Sequence, residues 1–125
     1  MIVGFGIDLI EVERIRGVYE RHKNRFLERI LTPAERAYVL RYADPTQRLA
    51  GRWAAKEAAL KALGTGLALG ISWSEAEILP DEQGKPCLIF YGKALERASV
   101  LGVGRRHVSI THSHSLAMAQ VILEA

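Results

Sequence analysis

Two carboxylates interrupt otherwise apolar stretches of this 125-residue chain, Asp8 between Ile7 and Leu9 and Glu57 within WAAKEAALKAL. A carboxylate that loses water without a partner costs several kcal/mol as an order of magnitude, so each must be paired, protonated or bound to a cation. Glu57 has one candidate partner in its own helix, Lys61, four residues on in the favoured orientation. Such a pair adds only about 0.3–0.5 kcal/mol where it is exposed. The alternative brings Asp8 and Glu57 together on one hard cation. Magnesium takes one or two carboxylates, substrate phosphate oxygens and waters, so two protein ligands suffice for it. Arg52, Lys56 and Lys61 lie nearby in sequence. Around a bare metal these cations would be wasteful, but around a polyphosphate they offset charge the metal leaves over, which suggests phosphoryl chemistry. Gly64-Thr65-Gly66 adds backbone donors and a hydroxyl, although on its own Gly-x-Gly at a helix end is a stop signal. His112 and His114 share a strand face, yet no third histidine is near and Cys87 is isolated, so hydrogen bonding suits them better than a transition metal.

The elements that must position these groups follow from periodicity. Ile2, Val3, Phe5, Ile7, Leu9 and Ile10 indicate a strand ending near Asp8. From Glu11, Val12, Ile15, Val18 and Tyr19 recur at helical spacing and turn Arg14 and Arg21 outward. That helix opens a basic stretch, Arg14, Arg16, Arg21, Lys23, Arg25 and Arg29 against Glu20 and Glu28, in a chain of net charge +3. It reads either as a solvated face or as an attractor for an anionic partner, and charge alone does not choose among nucleic acid, membrane and acidic protein. Only Tyr19 and Phe26 interleave with the patch, which disfavours a single-stranded nucleic-acid platform. Thr32-Pro33-Ala34-Glu35 and Asp44-Pro45-Thr46-Gln47 each carry helix-start signals, and the second opens the central helix, RLAGRWAAKEAALKAL, which stops at Gly64. On that helix Lys56 and Glu57 fall within or beside the apolar sector of Leu49, Trp53, Leu60 and Leu63.

Beyond it, a strand over Ile71 to Leu79, a turn over Pro80 to Pro86 and a strand over Cys87 to Tyr91 form a hairpin. Ala94, Leu95, Ala98 and Leu101 mark a short helix, and Val108 to Thr111 pairs antiparallel with Leu116 to Leu123. The expected architecture is α+β, helices on one face of a mostly antiparallel sheet, in a single domain spanning 1–125. One cysteine excludes an internal disulfide, no apolar run approaches the ~18 residues of a membrane span, and the first apolar stretch has no basic leader before it and acids directly after it, unlike a secretory signal. A cytoplasmic protein without membrane association is expected.

Four blocks in order, GIDLIEVERI at 6–15, RILTPAE at 29–35, GRWAAKEAALKALGTG at 51–66 and VSITHS at 108–113, make the chain resemble the holo-acyl-carrier-protein synthase family over essentially its full length. The resemblance implies the 4′-phosphopantetheinyl transferase fold, a homotrimer with active sites at subunit interfaces, coenzyme A as donor, acyl carrier protein as acceptor, magnesium as cofactor and a place in fatty acid biosynthesis. Matched by position, it assigns Asp8 and Glu57 to the metal and Lys61 to the phosphates. Gly64, Thr65 and Gly66 would line the donor pocket, Arg52 and His112 would hold the nucleotide end, and Arg14, Arg21 and Arg25 would dock the carrier. Trp53 stands where phenylalanine is common in that family. The proton of the accepting serine would go to Glu57 directly or to a water held by the metal.

Overall fold

Gly4 and Gly6 decide how the sheet meets the central helix. In the computed structural model, which describes residues 1–125, strand β1 (Ile2–Glu11) lies directly on helix α4 (Thr46–Leu63). A Cβ on Gly6 would collide with the Ala58 carbonyl, and one on Gly4 with that of Ala62. β1 is an edge of a three-stranded antiparallel sheet in the order β1-β5-β4, with β5 (Leu116–Glu124) central and β4 (Arg105–His112) on the far edge. The register aligns Asp8 with Ala119 and Ala119 with Ile110. Ala117, Ala119, Val121 and Leu123 of β5 are buried on the helix side, as period-2 alternation requires.

Helices α1 (Val12–His22), α2 (Asn24–Ile30) and α3 (Pro33–Val39), the hairpin of β2 (Ala76–Pro80) and β3 (Pro86–Phe90), and helix α5 (Gly92–Leu101) complete the fold. They enclose α4 on the sides the sheet leaves open, so this helix is buried nearly all round rather than along one stripe. That explains Lys56 in its apolar sector: the sector is interior and the lysine is buried with a partner, whereas Glu57 is half-buried and Lys61 exposed.

Four details depart from the periodicity. β1 continues through Glu11 because Leu116 pairs with it there. The basic helix breaks at Lys23, which takes φ 46°, and restarts as α2. Thr32 and Glu35 form the expected reciprocal cap. At the start of α4 Asp44 Oδ1 accepts from the Thr46 amide, but Gln47 does not reach back; its Nε2 donates to Ser113 O and ties the helix to the β4–β5 turn. Finally, the strand expected from Ile71 begins only at Ala76, because Trp73–Glu75 is a 3-10 turn closed by Ser72 and Glu75. The hairpin is consequently a separate two-stranded sheet. α4 ends as its sequence indicates, with Gly64 at φ 77°.

Candidate active site

Gly4, Gly6, Asp8 and Ile10 share the helix-facing side of β1. The two glycines let the backbone rest on α4, and Asp8, next in the series, puts its carboxylate into the seam, where its side chain keeps 16% of its exposure. Lys61 reaches across from α4: its Nζ donates to Asp8 Oδ1 at 3.1 Å and to Ile7 O at 3.0 Å. The lysine therefore serves β1 instead of forming the Glu57–Lys61 pair within the helix. Glu57 is half-buried in the same seam. Burial pushes its carboxyl above the usual range, the charge of Asp8 pushes it further, and Lys61 opposes both. Two acids converging in one seam, with one half-exposed lysine beside them, fit a divalent cation. No third histidine, cysteine or acid joins them, which leaves coordination positions to phosphate oxygens and water.

This placement has a stability signature. Because the folded-state pKa of Glu57 is raised, its protonation favours the fold. The contribution is full below the unfolded-state pKa and is lost as pH rises through the elevated folded value. In metal-free protein Glu57→Gln should raise the melting temperature at neutral pH and flatten this part of the pH profile, as followed by calorimetry from about pH 4 to 8.

Arg52 and His112 come together elsewhere, in a cavity of about 180 Å³ whose polar lining also includes Tyr38, Gln47 and Arg48. The Arg52 guanidinium lies over the Tyr38 ring at 4.4 Å, and its buried Nε has no hydrogen-bond partner. A buried cation with an orphaned donor calls for an anion. Arg48, one turn earlier on α4 and over the Tyr42 ring at 4.0 Å, adds a second guanidinium that sequence reasoning passed over. Its spacing of four from Arg52 was the available signal. This cavity and the Asp8–Glu57 pair lie on different sides of α4, since Arg52 and Glu57 are about 140° apart around the helix. Asp8 and His112 also stand on opposite edge strands of the sheet.

Other expected residues sort by exposure. Lys56 does not face phosphate: it is fully buried, with its ammonium on Glu35 Oε1 at 2.7 Å and on the carbonyls of Ala76 and Trp73. Gly64, Thr65 and Gly66 lie at the outer end of α4, and the Thr65 hydroxyl turns onto Gly66 O. Arg14, Arg21 and Arg25 are exposed, whereas Arg16 is taken by Glu13 and Asp44 at 3.0 Å each. Beside Arg25 and Arg29 opens a groove of about 510 Å³ with Val18, Phe26, Trp53 and Trp73 in its lining. Trp53 stacks on Trp73 at 4.5 Å between centroids, so the larger ring at this position builds an aromatic wall.

The sequence family described as the 4′-phosphopantetheinyl transferase superfamily matches residues 4–119. The chain belongs to this superfamily. Among curated relatives, a holo-[acyl-carrier-protein] synthase of Solidesulfovibrio magneticus is 52% identical over 124 residues, covering 99% of both chains. A crystal structure of the Neisseria meningitidis holo-[acyl-carrier-protein] synthase superposes with a TM-score of 0.89 at 36% identity, each chain covered in full. The Bacillus anthracis synthase, solved in complex with CoA (3′,5′-ADP), superposes with a TM-score of 0.84 at 41% identity, covering 100% of this chain and 98% of that one. The α+β transferase fold read from the sequence is thus the fold of these enzymes.

Proposed function

We infer that this chain transfers the 4′-phosphopantetheine arm of coenzyme A to a serine of an apo acyl carrier protein, giving holo carrier and adenosine 3′,5′-bisphosphate. The observation that carries the chemistry is the convergence of Asp8, Glu57 and Lys61 in the β1–α4 seam, within a chain so similar to named synthases. Asp8 and Glu57 would hold magnesium on the donor pyrophosphate. The ion, when bound, offsets the charge of the phosphate oxygens. Lys61 binds those oxygens as well; its ammonium is half-exposed, so its pair with Asp8 contributes little and opens readily to an incoming anion. The serine Oγ attacks the phosphorus that bears the pantetheine arm as the pyrophosphate P–O bond breaks. The serine proton passes to Glu57, directly or through a water, and the bisphosphate nucleotide leaves. Positioning and charge offset supply most of the rate, so a modest base suffices.

Two features support a homotrimer with shared sites. The outer sheet face exposes Phe5, Ile7 and Leu9 at 53%, 46% and 57%, beside Leu116 and Met118, a patch that asks for a cover. In addition, the anion-seeking Arg52–His112 cavity and the Asp8–Glu57 pair diverge around α4, so a single donor molecule is best spanned by one pair from each of two subunits. Gly64, Thr65 and Gly66 would line the pantetheine path. Ile7→Asp is expected to yield monomers by sedimentation with transfer lost. Mixing Glu57→Gln and Arg52→Gln proteins under subunit exchange should restore part of the activity that neither has alone.

Carrier docking falls to Arg14, Arg21 and Arg25 and the adjoining aromatic groove, which together suit an acidic, amphipathic helix surface. Arg14→Glu should raise the Michaelis constant for carrier about tenfold at low salt, less as salt increases, and leave that for coenzyme A unchanged. Equal rates for parent and variant across salt concentrations would refute the docking surface. No helix of the structure is long and apolar enough to cross a membrane, and action on carrier protein in the cytoplasm, within fatty acid biosynthesis, fits this reading.

A further inference from the structure

Lys56 is the largest side chain wholly removed from water, and its ammonium faces neither the carboxylate seam nor the nucleotide cavity. It donates instead to Glu35 Oε1 at 2.7 Å, Ala76 O at 2.6 Å and Trp73 O at 3.1 Å. Glu35 is equally committed: Oε1 also accepts from the Thr32 amide at 2.9 Å, and Oε2 accepts from the Ile78 amide at 2.8 Å. A buried ion pair is a weak source of net stability, since apolar residues of like volume do as well, but it fixes geometry because every donor and acceptor must be met. What is fixed here is specific. Two of the three acceptors are carbonyls at the start and just past the end of the 3-10 turn Trp73–Glu75. That turn presents Trp73 to Trp53, and with Phe26 the two rings line the groove flanked by Arg25 and Arg29.

We propose that Lys56 is a positioning residue for the acceptor: its ammonium clamps the Trp73 turn onto α4 and thereby sets the Trp53–Trp73 wall against which the carrier's serine-bearing segment is held. Glu57 follows Lys56 in the same helical turn, so the clamp and the group that receives the serine proton share one rigid frame. The proposal rests on the docking reading above.

Trp53 and Trp73 are the only tryptophans in the chain, so the tryptophan exciton band in near-ultraviolet circular dichroism reports the wall directly. In Lys56→Met and Glu35→Gln, with far-ultraviolet spectra retained, that band is expected to fall by about half or more. The Michaelis constant for carrier should rise about tenfold, while that for coenzyme A stays within about twofold. Trp73→Leu, which leaves the clamp in place, should reproduce the carrier effect. A folded Lys56→Met protein with a parental exciton band, or with a parental Michaelis constant for carrier, overturns the proposal. If neither clamp variant can be purified, Trp73→Leu decides, and a parental Michaelis constant for carrier overturns it. Arg14→Glu keeps the two readings apart: no carrier effect there refutes the docking surface, whereas the exciton change in Lys56→Met bears on the clamp alone.

Discussion

Glu57→Gln is expected to lower phosphopantetheine transfer by about 100-fold or more at saturating coenzyme A and carrier, with the deficit deepening as magnesium is withdrawn. Glutamine keeps the volume and one oxygen but removes the charge that would hold the ion and the basicity that would receive the serine proton. Asp8→Asn should lose activity through the first of these alone, so its deficit should shrink at high magnesium whereas that of Glu57→Gln persists. Rates measured against magnesium concentration for both variants separate the roles. The same Glu57 substitution should leave the metal-free protein more stable, because the parent keeps a carboxylate in a half-buried seam beside Asp8. Lost activity together with gained stability distinguishes a functional charge from one retained for folding.

The second large effect is structural. Gly6→Ala should cost on the order of 3 kcal/mol or more, because the new methyl collides with the Ala58 carbonyl and would lie 2.9 Å from the Ala62 amide nitrogen. Those atoms belong to the backbone of the central helix, so no side chain can swing away to relieve them. The fold can respond only by lifting β1, which moves Asp8 out of the seam, and a domain of this size has roughly 5–15 kcal/mol to lose. Chemical denaturation should place the Gly6→Ala midpoint far below that of the parent. Gly17→Ala, at a half-buried position of α1 with a nearest contact of 3.6 Å to the flexible Arg21 side chain, should be tolerated.

How far the sequence carried each feature depends on whether its cause is local. The cap at Thr32, the stop at Gly64 and the antiparallel pairing of the last two strands are written in neighbouring residues and appear as expected. The convergence of Asp8 and Glu57 in one seam was legible because a charge in apolar surroundings needs a reason wherever it lies. The buried pair of Lys56 with Glu35 was not legible. A helix plot cannot tell that the sector it occupies is covered by α3 and the Trp73 turn, and Glu35, its partner, reads locally as a capping residue and nothing more. The late start of β2 is likewise set by a tertiary contact, a 3-10 turn whose Trp73 carbonyl Lys56 holds. Arg48 and the aromatic groove depend on residues from several elements meeting in space, which no single window of sequence displays.

The most direct measurement is intact mass of a purified apo acyl carrier protein incubated with this chain, coenzyme A and magnesium. The carrier should gain the mass of one phosphopantetheinyl group, with one adenosine 3′,5′-bisphosphate released per carrier, and neither product should form without coenzyme A, with a chelator present, or with the Asp8→Asn/Glu57→Gln protein. An unmodified carrier in the presence of folded enzyme, or full modification by the double variant, would contradict a transfer run from the β1–α4 seam.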